Sequence, residues 1–272
     1  MEPFRRLRYG RHMTQMVQPI GALLREWRQR RRLSQLALAT EAEVSTRHLS
    51  FLETGRALPS RDMVLHLADR LDVPLRARNQ LLVAAGYAPV FRERSIDDPE
   101  LKAARATMEQ VLAAHAPNPA IAIDRHWSLI AANRSVAPLL AGVDAALLKP
   151  PINVLRLSLH PGGLAPRIVN LAEWRAHLLQ RLRQQIDVSA DTVLVELLKE
   201  LRSYSSPSSP GTAHVNGAAI AVPFRFRHGD RVLSFLSTTT VFGTPVDITL
   251  SELALESFFP ADAETAETVK QL

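Results

Sequence analysis

Three serines, Ser34, Ser45 and Ser60, each stand just before a short run with leucine or alanine at helical spacing. A serine oxygen accepts from an amide in the first helical turn, so each is read as an N-cap. Ser34 opens a helix holding Leu38 and Ala39, and Ser45 opens one with Leu49 and Leu52 turned inward. Ser60 opens a third, with inner face Val64, Leu67, Ala68 and Leu71, which ends at Pro74. Ahead of them Ile20, Leu23, Leu24 and Trp27 fall at i, i+3, i+4 and i+7, one face of a longer helix. A last helix is expected from about Leu75 to Ala85, with Gly86 just past its end. The spacing therefore predicts an all-α unit of five short helices over residues 18–86.

Within it the capped pair after Ser34 and Ser45 is joined by a tight turn that sets the second helix across the first. With Leu49 and Leu52 inward, the second presents Thr46, Arg47 and Ser50 outward, with His48 and Phe51 on the flanks. A helix so presented fits the major groove of duplex DNA. Arg47 can donate twice to a guanine, and Thr46 can bond a base edge or touch a thymine methyl. The amides beside Ser45, at the helix N-terminus, suit a phosphate. Charge agrees with this: residues 1–94 hold 17 Lys+Arg against 9 Asp+Glu, whereas the remainder holds 16 against 18. A basic module joined to a nearly neutral one suits a polyanion bound by the first part only.

The residues Leu33-Ser34-Gln35, Leu38-Ala39, Val44-Ser45, Leu49-Ser50, Glu53, Gly55-Arg56 and Pro59-Ser60 resemble, in order and spacing, the lambda-repressor-like helix-turn-helix family known as XRE. The resemblance covers about residues 18–86. It implies a double-stranded DNA operator as partner and a homodimer reading two half-sites. It also implies that Gln35 contacts phosphate or a base, that Arg56 reaches a phosphate, and that Arg28 pairs with Glu53. Arg30, Arg31 and Arg32 are read as a solvated face. Glu43 stands where the family turn usually has glycine, so strain is expected there.

Composition narrows the rest of the 272 residues. There is no cysteine, which excludes thiolate zinc sites, disulfides and cysteine nucleophiles. Residues 1–17 are read as a flexible basic arm, without the apolar run of a signal peptide. No run approaches ~18 apolar residues, so no membrane insertion is expected and the chain is read as cytoplasmic. Residues 87–98 read as a linker. From there Asp98-Pro99 opens a helix to about His115, and residues 120–123 and 127–130 flank a polar turn as in a hairpin. Leucine-faced helices follow around residues 171–186 and 194–201, then a loop at 203–210. A second hairpin is expected from residues 218–227 and 231–243, and a final strand at about 247–259. Residues 99–272 are thus expected to form an α+β domain with an antiparallel sheet.

No nucleophile elbow, zinc-protease motif or phosphate loop occurs, and the nine histidines show no metal-ligand spacing. No catalytic residue, metal or cofactor is expected. The segments PAIAIDRHWSLIAAN (119–133), NVLRLSLH (153–160), RIVNLAEWRAHL (167–178) and the stretch 233–262 resemble the C-terminal domain of MmyB-like regulators. That resemblance implies a PAS-like fold with a pocket between sheet and helices for a small apolar, fatty-acid-like ligand. Trp127, Trp174, Phe235 and Phe242 are then candidate walls, with ordinary core packing the alternative. Arg156 and His160 are candidates to hold a carboxylate or hydroxyl at the mouth, and Asn133 to bind or to cap the next helix. Two other readings stay open, an enzyme fused to an autoregulatory DNA-binding module and a protein-interaction domain.

Overall fold

In a computed structural model the described residues are 18–204 and 221–271. The expected basic arm (1–17), most of the expected loop at 203–210 and the first residues of the strand expected from 218 lie outside them. The described chain divides into two compact units between Val90 and Phe91.

The first unit is five helices: α1 (Ile20–Arg30), α2 (Gln35–Glu41), α3 (Thr46–Glu53), α4 (Arg61–Arg70) and α5 (Leu75–Ala84). All three serine caps form, with Oγ accepting from Ala37 N (3.0 Å), His48 N (3.1 Å) and Met63 N (3.2 Å). Leu24, Leu38, Leu49, Leu52, Leu67 and Leu82 meet in one buried core. The arginines after α1 are not all solvated as expected. Arg31 donates to the carbonyls of Leu71 (2.7 Å) and Asp72 (2.7 Å). It thereby satisfies acceptors left unpaired at the end of α4.

The second unit begins within the expected linker. Arg94 Nη1 donates to Asp247 Oδ2 at 2.7 Å and Thr249 Oγ1 donates to the Arg94 carbonyl, which ties that segment to the domain. After a 3-10 turn at Pro99–Leu101 come α6 (Lys102–Ala114), β1 (Ala120–Ile123) and β2 (Leu129–Ala132). Then follow α7 (Val154–Leu159), α8 (Leu171–Ser189), α9 (Thr192–Ser203), β3 (Phe224–His228) and β4 (Arg231–Val241). A single helical turn, α10 (Ile248–Ser251), precedes β5 (Ala254–Pro260) and α11 (Ala263–Val269). The strands form one antiparallel sheet in the order β2-β1-β5-β4-β3, the PAS-like α+β arrangement. Alternation along β1 sends Ile121 and Ile123 to one face and Ala120 and Ala122 to the other. Both faces are covered, the second by Met108 and Leu112 of α6.

Two strand expectations change. The segment read as one strand over 247–259 starts with a helical turn, because the buried Asp247 carboxylate accepts from Thr249 N (2.9 Å) and caps it. The second strand of the first hairpin begins at Leu129 and not at Trp127. Trp127 has φ +65°, which turns the chain out of the extended region. Asp124 Oδ1 holds that turn by accepting from His126 N and Ser128 N, each at 2.8 Å.

Candidate DNA-reading surface and ligand pocket

The turn between α2 and α3 is closed by Val44 N donating to the Ala39 carbonyl at 2.9 Å. Glu43 sits there at φ 54°, the left-handed conformation expected where the family has glycine. Leu49 and Leu52 are fully buried, so α3 is fixed by its inner face. Its seat on α1 is unusually close. A Cβ built on Gly21 would stand 2.4 Å from the Leu52 carbonyl oxygen, so only glycine allows this approach.

The last residue of α3 is tied by charge as well. Arg28 donates to the Glu53 carboxylate through Nε (2.6 Å) and Nη2 (2.8 Å), and through Nη1 to the Leu33 carbonyl (2.8 Å). Both partners are buried. Burial alone pushes the Glu53 carboxyl up, but the hydrogen bonds from Arg28 and Gln35, with the nearby arginine charges, leave it below its ordinary value. The bond to Glu53 raises the Arg28 guanidinium in turn. Gln35 donates to Glu53 at 2.8 Å, so this candidate phosphate or base contact is engaged in the same network.

On the outer side of α3, Arg47 is exposed, and Thr46, His48, Ser50 and Phe51 are half-buried. Arg56, just past the helix, is exposed too. The guanidinium carbons of Arg47 and Arg56 lie 5.3 and 5.9 Å from the Phe51 ring centroid, so the ring supports two cations. Arg47, Phe51 and Arg56 therefore come together, with Ser45, Thr46 and His48 in the first turn of α3 and Ser50 beside Phe51. Arg47 and Arg56 have their guanidinium donors outside the buried network.

In the second unit a cavity of about 110 Å³ opens between the sheet and helices α7 and α8. Its walls include Ile121, Trp127, Leu139, Leu157, Trp174, Leu178, Phe224, Phe235 and Phe258. Three expected wall residues, Trp127, Trp174 and Phe235, are among them, each also part of the buried core. Ser158, Arg181 and Glu256 are the polar lining residues. Trp174 Nε1 donates to Ser158 Oγ at 3.1 Å. Arg181 grips Glu256 through Nη2 (2.6 Å) and Nη1 (3.1 Å), and its guanidinium carbon is 5.0 Å from the Trp127 ring centroid. Burial, aided by the Arg181 charge, pushes the neighbouring His177 imidazole below its ordinary value.

Four expected ligand residues lie elsewhere. Phe242 follows β4 and packs against the α6 side of the sheet. Asn133 pins backbone instead: Oδ1 accepts from Ala120 N (3.2 Å), and Nδ2 donates to the carbonyls of Leu112 (3.1 Å) and Asn118 (2.8 Å). It makes no side-chain cap to the 3-10 helix that follows. Arg156 is held by Glu200 through two 2.7 Å bonds. His160 Nδ1 accepts from Gly162 N at 3.0 Å, and its ring meets Tyr204 edge-on. Neither lines the cavity, and each has a partner outside its lining.

Arg181 and Glu256 escaped the sequence reading, although each left a signal. Trp174, Leu178, Arg181, Leu182 and Gln185 share one face of α8. An arginine and a glutamine on an otherwise apolar face are the informative exceptions. Glu256 alternates with Ala254 and Phe258 on the core side of β5.

Among the described residues, no three His, Cys, Asp or Glu side chains cluster to hold a metal, and no helix is long and apolar enough to cross a membrane. A family model described as an MmyB-like transcription regulator ligand-binding domain matches residues 104–272. A helix-turn-helix domain model matches residues 19–81. Comparison with curated proteins gives no match.

Proposed function

This chain belongs to the MmyB-like transcription regulators, and on that footing we propose that it is a cytoplasmic, non-enzymatic repressor or activator that reads an operator through α3 and answers to a small apolar molecule in the cavity of its second unit. Its domains are those of a ligand-regulated transcription regulator. The observation behind the choice of ligand is the cavity, walled by Trp127, Trp174 and Phe235 among other apolar side chains. Such a lining rewards removal of apolar surface from water. The space of about 110 Å³ is near the ~150 Å³ of an apolar cavity that admits benzene. A compact molecule fits as it stands, and a long acyl chain needs the walls to move.

On the DNA side, Arg47 and Thr46 read base edges while the Ser45 end of α3, Ser50, His48 and Arg56 meet the backbone. Phe51 packs beneath the two arginines, and Gln35 contributes through its hold on Glu53. One α3 reads only a short half-site, so the working form is a homodimer on a two-fold operator. A ligand alters transcription only if it favours one arrangement of the dimer over the other.

The test is to select bound sequences from a random duplex pool with the full chain. Affinity for the selected duplex is then measured with and without apolar compounds that raise the chain's melting temperature. The expected result is that such compounds exist and shift duplex affinity. If compounds that fit the cavity change neither quantity, the domain is a protein-interaction module.

A further inference from the structure

The cavity's polar side is already closed upon itself. Arg181 is the lone cation among its lining residues, and both its Nη atoms are committed to Glu256. Nη2 also donates to Thr239 Oγ1 (3.0 Å), and that hydroxyl donates onward to Glu256 Oε1 (2.8 Å). Glu256 is only 4% exposed, so water does not replace a lost partner. The Trp127 ring, itself fixed by Nε1 donating to Gln185 Oε1 at 2.7 Å, backs the guanidinium. Among the described lining residues the polar end therefore presents no net charge and no cation without an anionic partner. What it offers a ligand is the proton of the Ser158 hydroxyl, whose oxygen already accepts from Trp174.

We infer that the cavity takes an uncharged apolar ligand bearing a carbonyl or hydroxyl oxygen, and that the Arg181–Glu256 pair discriminates against carboxylates. This rests on the reading of the cavity as the ligand site. An ionised carboxylate that takes Arg181 from Glu256 leaves a buried acid without its cation, and one that shares the guanidinium is held beside the Glu256 charge. That penalty is worth on the order of a hundredfold in affinity. A neutral ligand leaves the pair intact and accepts from Ser158.

The experiment compares 1-hexanol with hexanoate, alike in chain and different in charge, by calorimetric titration of the full chain at neutral pH. Hexanol is expected to bind at least tenfold more tightly. In Glu256→Gln, hexanoate is expected to gain about a hundredfold relative to hexanol. Hexanoate binding as tightly as hexanol to the unaltered chain overturns the inference and leaves the apolar-ligand reading standing. So does a folded Glu256→Gln chain with no gain for hexanoate. If that variant does not fold, the comparison on the unaltered chain decides alone. Binding of neither probe overturns both the inference and the reading it rests on.

Discussion

The Trp127 indole donates through Nε1 to Gln185 Oε1 at 2.7 Å, while Gln185 Nε2 donates at 2.7 Å to the carbonyl of Arg125, two residues before that tryptophan. One side chain of α8 thus clamps both the ring of a residue at φ +65° and the backbone of the turn that leads into it. A bulky residue in that region costs on the order of 1–3 kcal/mol and persists only where its surroundings over-determine it. Replacing Gln185 by leucine removes both bonds and leaves the nearly buried indole N–H without a partner. We expect the second unit to lose about 1–3 kcal/mol, read as an earlier denaturation midpoint in tryptophan fluorescence. An unchanged midpoint would show that the clamp is incidental.

Arg28→Ala strands the Glu53 carboxylate in the core of the helical unit. Removal of one partner from a buried pair costs about 3–5 kcal/mol, so this variant should unfold at markedly lower denaturant. The native carboxyl is held below its ordinary value, with burial opposing and the hydrogen bonds from Arg28 and Gln35 prevailing. The stability it contributes is therefore full above the usual glutamate range. It is lost as pH falls through the lowered native value. Denaturation midpoints of the unaltered chain between pH 7 and pH 3 should fall in that acid window, and those of Arg28→Ala should fall less.

Arg47 and Arg56 share the Phe51 ring but should part company on DNA. Arg47→Ala is expected to remove roughly 1–3 kcal/mol of base discrimination per half-site. Arg56→Ala should weaken all sequences alike and reduce the salt slope by about one. With six to ten phosphate contacts in the dimer, affinity should fall ~10³–10⁵-fold between ~50 and ~200 mM salt. A sequence preference that survives Arg47→Ala would mean that α3 does not lie in the groove as proposed.

Glu43 occupies φ 54° without the freedom of glycine. Glu43→Gly relieves a left-handed cost of about 1 kcal/mol, partly offset by the extra disorder of the unfolded chain. A melting temperature equal to or slightly above the original is expected. Glu43→Val, β-branched at the same φ, should melt clearly lower. The opposite order would show that the turn relaxes around its side chain.

The helical unit was legible because its determinants are local. A serine caps the helix directly after it, and the Arg28–Glu53 pair is what the helix-turn-helix resemblance implies. The cavity was legible only as aromatic walls. Its polar side joins α8 to β5, and nothing near Arg181 announces Glu256. Part of the reason that Phe242 lies away from the cavity is in the sequence. Phe235 and Phe242 are an odd number of residues apart, and strand positions so related face opposite sides of a sheet. Chemistry alone points to Arg156 and His160, and in the fold Glu200 and Gly162 claim them first. The start of β5 was missed because a buried aspartate cap outweighs an extended pattern around Asp247.

Gly21 sets where tolerance to change ends in the helical unit. The nearest atoms to its absent Cβ are backbone, at Leu52 and Glu53, and not the movable tip of a side chain. No neighbouring substitution can make room, so compensation has no route. In a saturation library sorted for operator binding, codon 21 should retain a single amino acid, while partners such as Leu24 and Trp27 drift together to other apolar sets. The joint between α1 and α3 would then serve as an internal standard, marking which surviving variants still hold the reading helix at its original angle.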